Sequence, residues 1–257
     1  MVRTVDHALK LLFAIAEARD SEVTLTGLSK QFDLPKASVL RLLRTLEQHG
    51  LIVRDEKRKI GLGFSVLGLA DAFQRHVALG PLSLPHLRWL RDATGETTTL
   101  QIALGFERAC IQQVESLEEV KWSAELGQRF PLFVGAAGKV LLAFQPEEET
   151  RTILPKLVVQ ASALQWPFDL DAFKRALEDV RRKGYAISIN ETRMGPSAVA
   201  APVRNHAGRV VAAMAAIGPV DRLPKKRLVE LGPVVIQAAD ALATCGRVRM
   251  FAGNSPQ

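Results

Sequence analysis

The spacing of apolar residues over the first fifty positions is helical. Apolar side chains recur about every 3.6 residues in the first segment, which predicts a helix that begins at Thr4 and buries one stripe. The residues of that stripe are Val5, Leu9, Leu12, Phe13 and Ala16. A second, short helix over 25–32 is predicted to begin at Thr24, whose hydroxyl can cap it. A third helix spans Pro35 to His49, and Gly50 follows as the left-handed residue that ends many helices.

The next positions are typical of a hairpin and then of another helix. Two short apolar runs flank the charged stretch Asp55–Lys59, so they predict two strands joined by a polar tip. Helical spacing resumes from Phe64 to His76, and the pair Gly80-Pro81 is expected to end that helix. Three helices, a hairpin and a linking helix therefore make up the first eighty residues.

Beyond position 81 the pattern mixes helices with strands. Strand-like alternation is seen over 97–104, 109–114, 185–189, 198–204 and 210–217. Helical spacing is seen over 82–93, 135–144, 170–183 and 223–243. Because Asn205–Gly208 forms a tight turn, the last two strands must pair antiparallel. This favours an antiparallel sheet flanked by helices over a doubly wound parallel sheet, and the fold class is α+β in two domains.

The third predicted helix has two chemically different faces. One face places Val39, Leu42, Leu43 and Leu46 toward a core. The opposite face carries cations, a hydroxyl and a short apolar group, contributed by Lys36, Ser38, Leu40, Arg41 and Arg44. Such a mixture suits the major groove of double-stranded DNA, although an isolated basic helix would more simply be a solvated surface.

The order of the elements favours the DNA interpretation. Three short helices followed by a basic hairpin have the arrangement of a winged helix-turn-helix. The N-terminal part of its recognition helix enters the groove, so we expect Ser38 and Arg41 to contact bases and Leu40 to contact a thymine methyl. Lys36 and Arg44 are expected to bind phosphates. The hairpin tip adds the cations Lys57, Arg58 and Lys59.

Composition agrees with a soluble protein that meets a polyanion. The 257 residues include 34 Lys and Arg against 27 Asp and Glu, for a net charge of +7. Cys110 and Cys245 have no CxxC spacing and the histidines are scattered, so neither a metal site nor a cofactor is expected. Both thiols are expected to be unreactive in a reducing cytoplasm. The longest apolar runs are too short to cross a bilayer.

These motifs resemble the IclR family of bacterial transcription regulators. The run Leu34–Leu46 is similar to that family's helix-turn-helix, and Thr94–Thr97, Gly138–Ala143 and Ala200–Val203 are similar to its effector domain. The resemblance covers nearly the whole chain. It implies four parts: a winged helix-turn-helix at 1–62, a dimerising linker helix at 63–80, a GAF-like effector domain with a curved antiparallel sheet at 81–250, and a tail at 251–257.

The same resemblance implies partners. The chain is expected to form a homodimer, with a dimer of dimers as a further possibility, and to bind a roughly palindromic operator because two-fold symmetry presents two recognition helices. A small organic acid is the expected effector. Whether that effector promotes or releases DNA binding is left open by the residues.

An effector pocket is expected where a small-residue turn begins a helix. Backbone N–H groups at Gly135, Ala136 and Ala137 can attract a carboxylate, and the alternative interpretation is close packing of small residues. The resemblance favours the first. Neighbouring strands contribute the further candidates Ser188, Ile189, Ala198, Ala215 and Ile217. This lining has fewer polar anchors than that of relatives binding very small polar acids, so we expect a larger, less polar effector.

Two other classes of function are alternatives to a regulator controlled by an effector. One is an enzyme with an accessory DNA-binding domain, but the chain has no GxSxG, HExxH or dinucleotide motif and no catalytic residue is predicted. Gly138-Lys139 does not complete a phosphate loop, because Phe133 and Val140 occupy required positions. The other is a DNA-binding protein without a ligand, which would leave the second domain unexplained.

Overall fold

Contacts along the chain divide it into two units with separate cores. The N-terminal unit comprises Met1–Arg75 and the C-terminal unit His76–Gln257. The computed structural model describes residues 2–18, 23–55, 59–76, 79–191 and 195–244. The division falls inside the segment expected to link the two domains.

Three helices, a hairpin and a fourth helix form the N-terminal unit. They are α1 (Arg3–Glu17), α2 (Leu25–Gln31), α3 (Lys36–Gln48), β1 (Ile52–Arg54), β2 (Ile60–Leu62) and α4 (Ser65–His76). The strands β1 and β2 pair antiparallel. The predicted inner face of α3 is confirmed, since its residues Val39, Leu42, Leu43 and Leu46 are all buried.

The helix ends of this unit agree with the residue types there in two cases and differ from the prediction in two others. The Thr24 hydroxyl accepts a hydrogen bond from the Gly27 amide at 3.1 Å and caps α2. Gly50 follows α3 with φ of +66°, in the left-handed region. Pro35 occupies the capping position just before α3 rather than its first turn, and α1 begins at Arg3, so Thr4 lies inside that helix.

The buried stripe predicted for the first helix is wrong. Val5 and Phe13 are 54% and 58% exposed, Leu9 and Ala16 are also exposed, and Leu12 is half-buried. The core instead takes Leu11 and Ile15. The helix is apolar on two sides, and periodicity alone does not tell which side meets the core.

The exposed side of α1 has a counterpart on α4. We use the term apolar face for the large exposed hydrophobic residues of these two segments, which are Val5, Leu9, Phe13, Phe64, Leu67, Leu69 and Phe73. So many exposed large apolar residues in one small unit are unusual for the surface of a monomer.

The C-terminal unit is a six-stranded antiparallel sheet between two layers of helices. Its helices are α5 (Leu79–Thr94), α6 (Gly135–Ala143), α7 (Glu147–Ala163), α8 (Leu170–Lys183) and α9 (Lys225–Thr244). Its strands are β3 (Thr97–Leu104), β4 (Glu107–Val114), β5 (Arg129–Pro131), β6 (Ala186–Ile189), β7 (Ser197–Arg204) and β8 (Val210–Gly218). The strand order is β5-β4-β3-β8-β7-β6. The predicted α+β class with an antiparallel sheet is confirmed.

Two elements and one break differ from the sequence prediction. The helix α7 and the short edge strand β5 were not predicted; α7 contains Pro155, which obscures its helical pattern. Gly80-Pro81 does not end a helix, because both residues lie in the first turn of α5. A proline is tolerated there, since the first backbone N–H groups of a helix have no partner within it.

Each face of the sheet has its own core. On one face Leu100, Val199 and Met214 pack with α5 and α9. On the other face, small side chains of β7 and β8 such as Ala200 and Ala213 pack with α6, α7 and α8. Within the described ranges, no helix combines the length and the apolar content needed to cross a membrane.

The turn that precedes α6 depends on two glycines. Gly135 has φ of +78°, a backbone conformation that residues with a side chain rarely adopt. A Cβ at Gly138 would lie 2.1 Å from the Leu132 carbonyl oxygen. Backbone of the preceding turn therefore packs directly against the first turn of α6.

We expect Gly138→Ala to destabilise the C-terminal unit by about 1–3 kcal/mol, because the added methyl overlaps backbone that cannot move freely. Urea unfolding followed by circular dichroism measures the change. Gly80→Ala in α5 is the matched control, since its Cβ would meet the Ile111 carbonyl oxygen at an ordinary 3.7 Å. Equal stability of the two variants would contradict this account of the turn.

Candidate DNA interface and effector pocket

The outer face of α3 presents the residues predicted to contact DNA. Lys36, Arg41 and Arg44 are exposed, whereas Ser38 and Leu40 are half-buried. The one acidic residue of α3, Glu47, lies near its C-terminal end with a carboxylate oxygen 3.5 Å from Arg54 Nε. The N-terminal part of the helix is therefore cationic and open.

The hairpin tip is described only in part. The Lys59 amide donates to the Asp55 carboxylate at 2.7 Å, and the Asp55 amide donates to the Lys59 carbonyl at 3.1 Å. These bonds close the base of the tip. Lys59 is exposed, while Lys57 and Arg58 lie outside the described residues.

A cavity in the C-terminal unit lies where the small-residue turn meets the sheet. It opens to solvent, and the space between its lining residues, counted out to the mouth, is about 380 Å³. Its lining consists of Gln101, Arg108, Trp122, Phe130, Gly135, Ala136, Ala137, Ser188, Pro196, Ala198, Ala215 and Ile217. The structure thus brings together all the candidate pocket residues except Ile189, which is 36% exposed and alternates away from Ser188 along β6.

One wall of the cavity is the N-terminus of α6. Val134 precedes the helix, and no side chain caps it. The first backbone N–H groups of a helix have no acceptor within it, so those of Gly135, Ala136 and Ala137 are available to an anion. The two interpretations of this turn, as a close packing of small residues and as a site that attracts an anion, are therefore compatible.

Beside that turn lies a buried arginine that the sequence analysis missed. Arg108 on β4 is 5% exposed. Its Nε donates to the Val134 carbonyl at 3.2 Å and its Nη1 donates to the Gln101 side-chain oxygen. The guanidinium carbon lies 4.6 Å from the centre of the Phe130 ring. Burial lowers the pKa of Arg108 to about 10, so the group remains a cation at neutral pH.

The loop 115–128 supplies the aromatic part of the cavity wall. Its Trp122 packs at 6.3 Å from Phe130, and the Trp122 indole Nε1 is buried without a hydrogen-bond acceptor among the described residues. Arg222 holds this loop, since its Nη1 donates to the Val120 carbonyl at 2.7 Å. Arg222 also forms two bonds, of 2.6 and 2.7 Å, with the buried Glu96 carboxylate.

Two further polar groups near the cavity have structural roles. Cys110 is fully buried, and desolvation raises the pKa of its thiol to about 11, so it is neutral and protected at physiological pH. Lys139 Nζ donates to the Ile187 carbonyl at 3.1 Å and pairs with the Glu191 carboxylate, which ties α6 to the end of β6.

Among the described residues no cluster of His, Cys, Asp or Glu could hold a metal ion. Cys245 lies outside them.

The residues missed by the sequence analysis left only a weak signal. Arg108 is the one cation of β4 and follows Glu107, as a surface residue of an edge strand could, and alternation does not reveal which face of the sheet it occupies. Trp122 and Phe130 lie in or beside a loop without periodicity. A register shift between Leu100 and Gln101 also changes the pairing of β3 with β4, and no sequence pattern announces it.

The two units together define a class of protein: a winged helix-turn-helix followed by a ligand-binding domain, as in bacterial transcription regulators. Residues 75–244 match the family profile described as bacterial transcriptional regulator IclR C-terminal, and residues 4–56 match the IclR helix-turn-helix domain. The chain belongs to the IclR family, as its resemblance implied.

Individual relatives agree with this assignment. The HTH-type transcriptional repressor AllR of Klebsiella pneumoniae is 33% identical over 224 residues, which are 86% of this chain and 82% of the relative. The crystal structure of an IclR-type regulator from Alicyclobacillus acidocaldarius has a TM-score of 0.78 at 25% identity and covers 95% of this chain and 98% of its own.

A third relative shares the fold. The crystal structure of an IclR homologue from Microbacterium hydrocarbonoxydans, complexed with 4-hydroxybenzoate, has a TM-score of 0.77 at 21% identity and covers 94% of this chain and 98% of its own. The AllR relative above is a transcriptional repressor.

Proposed function

We propose that this IclR-type regulator binds a roughly palindromic operator as a homodimer and that an organic acid in the cavity changes its operator affinity. The observation that carries the DNA part is the open, cationic outer face of α3. Three exposed cations, Lys36, Arg41 and Arg44, lie along it, and the only acidic residue of the helix is at the far end. The name of the relative AllR favours repression as the outcome.

The positions along α3 suggest that some of its residues contact bases and others contact phosphates. Ser38 and Arg41 lie in the part of a recognition helix that reaches base edges, and an arginine can donate two hydrogen bonds to guanine. Leu40 is half-buried beside them and would contact a thymine methyl. Lys36 and Arg44 flank this centre, where cations contact phosphates.

We expect Arg41→Ala to weaken operator binding by about 1–3 kcal/mol and to relax specificity at one base pair in each half-site, because a base contact is lost. Fluorescence anisotropy with single-base operator variants, taken from genomic binding sites, measures both effects. Arg175→Ala, at an exposed arginine of α8, is the control and should bind like the wild type. Uniform weakening over all operator variants would instead assign Arg41 to a phosphate.

The apolar face of the N-terminal unit supports the dimer. It leaves large side chains such as Phe13, Leu67 and Phe73 exposed on α1 and α4 in the single chain. A two-fold contact would remove them from water, and each buried leucine or phenylalanine contributes about 1.5–3 kcal/mol. A second copy of the chain is the partner that a palindromic operator also requires.

We expect the double substitution Leu67→Ser and Phe73→Ser to convert the dimer to monomers at micromolar concentration and to weaken operator binding strongly, since a monomer occupies one half-site. Sedimentation velocity and anisotropy measure the two effects. Val159→Ser, at an exposed apolar residue of α7, should leave both unchanged. A dimer that survives the double substitution would contradict the proposed contact.

The effector we propose is an organic acid larger and less polar than a two-carbon acid. The cavity side of β7 and β8 is lined by Ala198, Ala215 and Ile217, which offer no hydrogen bond to a small hydroxyacid. Trp122 and Phe130 provide flat apolar contacts on the opposite side. The 4-hydroxybenzoate complex of a relative indicates that the fold is compatible with an aromatic acid.

We expect aromatic or medium-chain carboxylates to raise the melting temperature of the full chain more than glyoxylate does. An acid at ten times its Kd stabilises the folded state by about 1.4 kcal/mol, which corresponds to several degrees for a domain of this size. Differential scanning fluorimetry measures the shift. Stabilisation by glyoxylate with none from the larger acids would contradict the proposed class.

A further inference from the structure

We propose that Arg108 is the charge receptor of the cavity and that its buried cation selects monoanionic effectors over neutral molecules of the same shape. The inference rests on the proposed effector site and names the group that determines its specificity. It predicts that the ligand supplies a counter-charge which the protein itself does not place beside Arg108.

The environment of Arg108 contains acceptors but no opposite charge. Its guanidinium is bound by the neutral oxygens of Gln101 and Val134 and lies against the Phe130 ring. Among the described residues no carboxylate lies within ion-pair distance of it. The Cys110 thiol on the same side of β4 is neutral, because burial raises its pKa to about 11. A buried charge without a counter-charge is costly, so proteins normally pair it.

A second arginine of the same domain shows the usual solution. Arg222 holds the buried Glu96 carboxylate through two hydrogen bonds, of 2.6 and 2.7 Å. Arg108 is more deeply buried than Arg222, and no carboxylate in the described part of the chain pairs with it. The contrast indicates that the charge of Arg108 is retained for a group that comes from outside the chain.

The donors that an anion would meet converge on one side of the cavity. A Cβ at Gly135 would lie 3.1 Å from Arg108 Nη2, so the guanidinium reaches the turn that begins α6. The free N–H groups of that turn add the positive end of a helix dipole. The unpartnered indole N–H of Trp122 is a further donor in the same lining.

The guanidinium is also held in place before any ligand arrives. Gln101 Nε2 donates to the Thr99 hydroxyl at 2.8 Å, which orients the Gln101 oxygen toward Arg108. With one bond made by Nη1 and one by Nε, the N–H groups of Nη2 have no acceptor among the described residues and can bind a ligand. A donor that is already held in place loses little conformational entropy on binding, so more of its interaction with the anion contributes to affinity.

The rest of the described lining contains no second cation, so it favours a ligand with one negative charge. Phe130, Ala198, Ala215 and Ile217 offer no cation for a second carboxylate. A monocarboxylate with an apolar body satisfies Arg108 at one end and the hydrocarbon wall at the other. The primary amide of the same acid keeps the shape but places an uncharged group beside the buried cation.

Binding of benzoate and of benzamide to the full chain tests this inference. Isothermal titration calorimetry in a chloride buffer gives both Kd values for the wild type and for Arg108→Met. We expect the wild type to bind benzoate at least tenfold more tightly than benzamide, and Arg108→Met to lose that preference. Arg129→Met on β5 removes an exposed arginine paired with Glu107 and should keep the tenfold preference.

Arg108→Lys covers the case in which Arg108→Met does not fold. The lysine retains a charge but not the second guanidinium nitrogen, so we expect at least tenfold weaker benzoate binding. The inference is overturned if the wild type shows no preference for benzoate, if Arg108→Met keeps it, or if Arg108→Lys binds benzoate as the wild type does. Operator binding, measured separately on ligand-free wild type, tests the proposed function independently of these ratios.

Discussion

The close contact between α6 and the sheet is the constraint on which the C-terminal unit depends. Alanines of β7 and β8 face the helix, and at Gly138 a side chain would overlap the backbone of the preceding turn. This contact places the N-terminus of α6 over the sheet rather than in solvent. Small residues at the start of the helix and on the facing strands also line the cavity, so the end of the helix is open to it.

Two arginines of this domain, Arg222 and Arg108, are stabilised in different ways. Glu96 and Arg222 neutralise each other and hold the loop that carries Trp122 against the sheet. Arg108 is instead stabilised by neutral acceptors and an aromatic face. The first arrangement fixes a wall of the cavity, while the second keeps a cation within it. The stability of the cavity wall and the proposed binding of an anion thus depend on separate arginines.

Local chemistry was enough to predict much of this protein. The Thr24 hydroxyl caps α2 and Gly50 follows α3 with φ of +66°, as their residue types predict. The inner face of α3 and the cavity side of Ala198 and Ala215 follow from periods of 3.6 and 2 residues. Such features depend on neighbours in sequence, which one chain displays directly.

What could not be predicted depends on contacts between distant segments. The position of Arg108 in the cavity requires the pairing of β4 with β3 and the turn before α6, which are brought together only in the folded domain. The apolar side of α1 that stays exposed is likewise undetermined by its own sequence. If it packs against a second copy, the exposed apolar residues of α4 are further candidates for that contact, and α4 ends where the N-terminal unit ends along the chain. The apolar residues of α1 that were expected in the core would then form the dimer contact. A dimer presents two recognition helices, as an operator with two half-sites requires.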